Sequence, residues 1–278
     1  MKSPDPAPEF ADPSFAGWRI ERHARLGSTS DEARERALAG DPGHLWVWAD
    51  EQTAGRGRHG RVWRSPAGNL HASALILAPC ETEIAPQIGF VAGVALRRAV
   101  ADLGEAEISL KWPNDLVSNG AKLAGLLVEG VTTPRRRFAV VIGFGVNLAI
   151  SPPDLPYPAT NLSRLLGQPV GPEALFPRLA RRFDEVLALW ARGAGFAAIR
   201  EEWLAHAAGL GGLIRVSGPR GARVGVFEGL DPQGRLRLRS GDSVEIIESA
   251  DLTLIPSSPR PGDASPPSSP LLKAATHD

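Results

Sequence analysis

Cysteine is nearly absent: Cys80 is the only one in 278 residues. That excludes an intramolecular disulfide framework and any cysteine-rich zinc site. Cys80 follows Pro79 with no activating neighbour and reads as a structural residue. The histidines His23, His44, His59, His71, His206 and His277 lack ligand-pair spacing, so no resident metal is expected. Charge of one sign is missing as well. Lys+Arg and Asp+Glu are both 31, which removes the whole-chain basic field that nucleic-acid binding draws on. Long apolar runs are missing too. Nothing approaches the ~20 residues of a membrane span. Met1–Glu9 is rich in Pro and acid where a signal peptide would be apolar. These absences point to a cytoplasmic protein with no membrane partner.

What is present is enough hydrophobic sequence, 43%, for one large domain and a small one. Residues 1–14 (Pro, Ala and acid) and 257–278 (Pro and Ser) read as disordered ends. Between them an α+β pattern occupies 15–209. Strands are expected at Trp18–Leu26, Leu45–Ala49, Leu70–Leu77, Glu107–Trp112, Leu123–Glu129 and Arg137–Gly143. Helices are expected from a capping box at Thr29 and Glu32 to Gly40, then at Gln87–Leu103, Glu173–Arg192 and Phe196–Ala207. After Gly211-Gly212 the texture changes to short alternating runs separated by turns, predicting a small β-barrel over 210–256.

The stretch Gly55-Arg56-Gly57-Arg58-His59-Gly60-Arg61, with Trp63 close behind, is the most informative. Arg forks grip carboxylates and phosphates, and glycine lets the backbone come near, so this is a cationic flap suited to closing over an anion. It also satisfies G-x-G-x-x-G, but a dinucleotide site needs a helix opening at those glycines. Here Arg64-Ser65-Pro66-Ala67-Gly68-Asn69 is a turn and Leu70–Leu77 a strand, so the dinucleotide reading fails.

Other segments are ambiguous singly. Lys111-Trp112-Pro113-Asn114-Asp115 puts an amide and a carboxylate at a strand end, suited to nucleotide or Mg²⁺, although a Pro-Asn-Asp turn explains it equally. Lys122 at the mouth of an apolar strand could simply snorkel to water, whereas Gly125 inside that strand suggests close approach of a ligand or backbone. Gly143-Phe144-Gly145-Val146-Asn147 repeats that theme. Ser28 and Thr29 offer hydroxyls before a helix, and Gln52 lies three residues before Gly55.

Taken in order, Ser28-Thr29-Ser30, Gln52 through Arg61, Lys111 through Leu116, Lys122 through Gly125 and Gly143 through Asn147 resemble the biotin–protein ligases, over about residues 18–256. The resemblance implies a mixed sheet flanked by helices, like class II aminoacyl-tRNA synthetases, followed by an SH3-like barrel. It implies that biotin and ATP, with Mg²⁺, form biotinyl-5′-AMP, which then acylates a lysine of the biotin carboxyl carrier protein of acetyl-CoA carboxylase or a similar carrier domain. Catalytic roles fall to Lys122 and Arg58. The biotin site comprises Ser28, Thr29, Ser30, Gln52, Gly55, Arg56, Gly57, Arg58, Lys122 and Gly125. The ATP side comprises Arg61, Trp63, Lys111, Asn114, Asp115 and Asn147, with Mg²⁺ near Asp115. Ser30 departs from the family's usual Asn. Some members carry an N-terminal helix-turn-helix; the Pro-rich residues before Ser28 do not suggest one, so a monofunctional enzyme without DNA binding is expected, as monomer or homodimer. The rivals are a lipoate or octanoate ligase or transferase on the same fold, and an Arg-Gly RNA-binding module. Balanced charge and a single tyrosine argue against the last.

Overall fold

Alternation along two central strands creates two unlike sheet faces. Leu70, Ala72, Ala74 and Ile76 turn into the main core, as do Val140, Ile142, Phe144 and Val146. The residues between them, including His71, Ser73, Gly143 and Gly145, lie on the opposite face. The computed structural model describes residues 17–153, 155–218 and 221–255. The ends expected at 1–14 and 257–278 lie outside the described residues.

The elements run β1 (Arg19–Leu26), α1 (Thr29–Leu38), β2 (Leu45–Gln52), β3 (Leu70–Leu77), α2 (Gln87–Ala101), β4 (Ser109–Lys111), β5 (Asp115–Ser118), β6 (Ala121–Thr132) and β7 (Phe138–Val146). Then follow α3 (Leu162–Leu166), α4 (Pro172–Trp190) and α5 (Phe196–Ala205). The last five strands are β8 (Leu213–Gly218), β9 (Gly221–Leu230), β10 (Leu236–Ser240), β11 (Ser243–Ile247) and β12 (Asp251–Leu254).

Seven strands form a mixed sheet in the order β1-β2-β3-β7-β6-β5-β4. Only β1 and β2 pair in parallel; the other pairs are antiparallel. The apolar stripe of α4, from Leu175 through Leu179 and Phe183 to Trp190, packs with α2 and α5 on the main-core face. On the other face, Ala33 and Ala37 of α1 cover Leu45, Val47, Leu75 and Val141. The N-terminus of α1 lies over mid-sheet, with Ser73 and Gly143 beside Thr29 and Ser30.

The helix cap sits one residue earlier than expected. Ser28 is the cap, accepting from the Asp31 N–H at 3.3 Å, which frees the Thr29 hydroxyl for another use. Two short strands and one short helix escaped the periodicity reading: β5, β12 and α3. For β5 a signal existed. Asn119-Gly120, both with positive φ (48° and 77°), is the two-residue turn preferred between antiparallel strands.

The C-terminal strands form their own antiparallel sheet, β11-β10-β9-β8-β12, consistent with an SH3-like fold. Its apolar residues, among them Ile214, Phe227, Leu236 and Leu252, belong to the same buried cluster as the large sheet's core. Trp112 donates across the junction to the Gly234 carbonyl at 3.2 Å. A Cβ on Gly234 would lie 2.7 Å from the Phe90 ring, so only glycine allows this approach.

Candidate active site

The glycine-arginine stretch forms a narrow hairpin. Arg56 and Val62 make an antiparallel bridge, Gly57 N–H donates to the Arg61 carbonyl at 2.7 Å, and Arg58–Gly60 form one 3-10 turn. His59 and Gly60 take positive φ at its tip. No α-helix opens at these glycines; the next regular element is β3. Gly55 anchors the base, because a Cβ there would lie 2.6 Å from both Ser65 Oγ and the Trp63 carbonyl.

Beneath this hairpin lies a pocket over the open sheet face, with Ser28, Thr29, Ser30 and Gln52 at one part of its wall and Arg56, Arg58, Arg61 and Lys122 at another. The hydroxyl end is buried and interlinked. Thr29 Oγ1 lies 2.8 Å and Ser30 Oγ 3.1 Å from Ser73 Oγ. Gln52 accepts from the Thr29 N–H at 2.8 Å and donates to Ser65 Oγ at 2.8 Å. Gly143 makes room for this cluster, since a Cβ would fall 2.7 Å from Ser30 Oγ.

Gly125 and Gly145 lie opposite each other on β6 and β7 and give Trp63 a flat backbone to rest on. A Cβ on Gly145 would sit 2.5 Å from the indole, and one on Gly125 at 3.2 Å. The Lys122 ammonium is 5.4 Å from the ring centres of both Trp63 and Tyr157, within cation–π range.

Every cation at the pocket faces a carboxylate. Lys122 pairs with Asp115 at 2.8 Å. Arg56 pairs with Asp31, and with Glu129 at 3.4 Å. Arg58 lies 3.7 Å from Asp251, and Arg61 pairs with that same residue. The hydrogen bond that Arg56 donates to Asp31 raises the Arg56 pKa, and burial lowers that of Arg58. Burial would raise the Asp251 carboxyl, but the hydrogen bond and charge of Arg61 and the charge of Arg58 outweigh it and hold the group below the usual carboxylate value.

Two expected site residues, Gly55 and Lys111, stand behind the pocket wall rather than on it, and Asn147 lines an adjoining pocket with Trp63, Lys122 and Tyr157. Lys111 lies opposite Asp115 in the β4–β5 hairpin, and burial pushes its ammonium pKa down. Asn147 is buried, with its amide nitrogen donating to the Thr160 carbonyl at 3.1 Å and the Lys122 carbonyl at 3.5 Å. Asn114 donates its amide to the Leu126 carbonyl and receives Arg58 at 3.5 Å. The sequence reading missed Asp31, Ser65, Ser73, Glu129, Tyr157 and Asp251, and named Gly143 within a motif without giving it a role. Ser73, a small hydroxyl in a mostly apolar strand, and Gly143, alternating with large residues, carried a readable signal. Asp251 carried none.

No group of three or more His, Cys, Asp or Glu that could hold a metal occurs among the described residues. Among them, no helix is long and apolar enough to cross a membrane.

The sequence model of the Biotin/lipoate A/B protein ligase family matches residues 26–147. The chain is 40% identical over 241 residues to the biotin–[acetyl-CoA-carboxylase] ligase of Paracoccus denitrificans, covering 82% of this chain and 98% of that one. The biotin protein ligase of Aquifex aeolicus, solved with biotin and ATP, superposes with a TM-score of 0.76 at 25% identity, over 85% of this chain and 99% of the other. The Leishmania major biotin protein ligase, solved with biotinyl-5-AMP, gives 0.58 at 25% identity, over 83% and 98%. The pocket's two chemistries, the mixed sheet that carries them and these likenesses agree, and the chain belongs to the biotin protein ligase family.

Proposed function

We propose that this protein activates biotin with ATP and passes the biotinyl group to a lysine of a biotin carboxyl carrier protein. The observation that carries this reading is one pocket with a buried hydroxyl floor at one end and paired cations at the other. An uncharged polar head group fits the first and a carboxylate the second. The ring of biotin presents a urea carbonyl and two N–H groups. Thr29 and Ser30 can donate to the former, and the Gln52 and hydroxyl oxygens can accept from the latter, with Ser73 behind them holding both hydroxyls.

Joining a carboxylate to a triphosphate requires offsetting the repulsion of two anions where charge builds. Lys122 lies between the β6 mouth and Asp115 and is the group best placed to bind both. Arg56 and Arg58 close over them from the hairpin. The biotin carboxylate oxygen attacks the α-phosphorus, pyrophosphate leaves, and biotinyl-5′-AMP results. The hairpin shields this mixed anhydride from water until the carrier lysine amine attacks the acyl carbon and AMP departs. Trp63 takes the adenosine side, with Arg61, Lys111, Asn114 and Asp115 towards the phosphates. Asn147, which lines the adjoining pocket with Trp63, belongs to the same adenosine side and also holds the Lys122 carbonyl. Mg²⁺ enters with ATP as part of the substrate, and the Asp115 carboxylate, paired with Lys122 at 2.8 Å, faces the phosphate side. The balanced charge fits an enzyme that leaves DNA alone.

A lipoate or octanoate substrate is the second reading, because the matching family spans both acids. The Thr29, Ser30 and Ser73 hydroxyls already bond one another, so an alkyl chain would not orphan them, but it would leave their remaining hydrogen-bonding capacity unused where a urea group takes it up. Purified protein is incubated with ATP, Mg²⁺, an apo carrier domain and one acid at a time, and the carrier's mass is read. Modification with biotin and not with octanoate or lipoate is expected. Modification by octanoate alone would move the protein to the other branch of its family.

A further inference from the structure

The carboxylate of Asp251 belongs to the small C-terminal sheet, yet it lines the pocket and faces two hairpin arginines. The neighbouring residues strengthen the hold: Arg58 donates to the Ala250 carbonyl at 3.2 Å and to Ser249 Oγ at 3.1 Å. A fixed negative charge is the wrong sign for a wall that must receive a triphosphate. It is the right sign for keeping two guanidiniums side by side while no phosphate is present: the Arg61 charge disfavours that of Arg58, and Asp251 offsets it.

We propose that Asp251 is an internal stand-in for phosphate: it occupies Arg58 and Arg61 in the free enzyme, and ATP displaces it. The inference rests on the reading of the pocket as an ATP site. Its physical basis is exchange of one anion for another on the same pair of forks. The Arg61 side chain is 63% exposed, so its pairing with Asp251 is screened and readily given up. A polyphosphate offers more charge and more acceptor oxygens to the same groups. The other pocket carboxylates, Asp31, Glu129 and Asp115, come from the large sheet and its helix. Asp251 alone among them ties the hairpin to the C-terminal sheet, so nucleotide entry loosens a contact between the two.

The sign of the effect separates this role from a positioning contact in the loaded enzyme. With Asp251→Asn, ATP titrated calorimetrically should bind roughly two- to fivefold more tightly, the range expected for losing a partly exposed competing charge. Hydrogen exchange across residues 55–62 should be faster in the free variant and equal to wild type once biotin and ATP are bound. Unchanged or weaker ATP binding by the folded variant would overturn the proposal. A second measurement needs no variant: the carbon NMR titration of the Asp251 carboxyl in wild-type protein should move to higher pH on adding ATP, as arginines leave and phosphate arrives. A titration that stays in place with ATP bound would overturn it equally. Failure of wild-type protein to bind ATP at all would instead remove the pocket reading beneath it, and this inference with it.

Discussion

At the residue scale the account turns on Lys122. Its 2.8 Å pairing with Asp115 and its place between Trp63 and Tyr157 make it a held charge rather than a lysine trailing into water. A charge-assisted contact of this kind contributes ~1.5–3 kcal/mol. If it strengthens as the two anions converge, Lys122→Gln slows adenylate formation by roughly ten- to more than a hundredfold. Single-turnover pyrophosphate release measures this, and a wild-type rate in the folded variant would return Lys122 to the surface role. His71 offers a stability test. Its Nε2–H donates to the Pro66 carbonyl at 3.1 Å, while Nδ1 is buried without a partner, and burial lowers its pKa. The unfolded chain therefore takes up a proton first as pH falls below about 6.5, and the native state loses stability until its own lower pKa is passed. The denaturation midpoint should drop across that window, and His71→Asn should flatten part of the drop. His206, also lowered by burial, accounts for some of the remainder. The motif residues were legible because each group is contiguous in the chain. Their carboxylate partners were not: Asp31, Glu129 and Asp251 reach the arginines from separate elements, and no local pattern marks a charge that becomes a partner only on folding.

At the scale of elements, the hairpin over residues 55–62 is the part that must change. Its backbone is held by one bridge and one turn, and its side chains by ion pairs that are largely open to solvent. Such segments open at low free-energy cost. Hydrogen exchange over 53–62 should slow when biotin and ATP are added together; equal protection with and without them would argue against closure. The regular elements were legible wherever burial imposed a period. Leu70–Leu77 and the α4 stripe are clear cases. Elements such as β5 and β12, four residues each, are too short to show a period, and their pairing comes from neighbours. The shifted helix cap has a similar cause. Ser28 and Thr29 can each cap in isolation, and Thr29 is drawn away by Ser73 and Gln52, which only the folded sheet brings near.

At the scale of the molecule, the change of texture after Gly211-Gly212 marks a second sheet but not an independent body. One buried cluster runs from Trp46 and Phe183 through Trp112 to Phe227 and Leu252. Heat or denaturant should therefore unfold both sheets in one transition, with the same midpoint by near- and far-ultraviolet circular dichroism. Two separated midpoints would show that the junction is weaker than its packing implies. The continuity also lets Asp251 reach a pocket built almost wholly by the large sheet. The central claim is that this pocket joins biotin to the α-phosphate of ATP without any other protein. Isotope exchange between labelled pyrophosphate and ATP tests it most directly, because it reports reversible adenylate formation with no carrier present. The account predicts exchange that requires biotin and is not supported by octanoate or lipoate. Exchange that proceeds equally without biotin, or only with the alkyl acids, would contradict it.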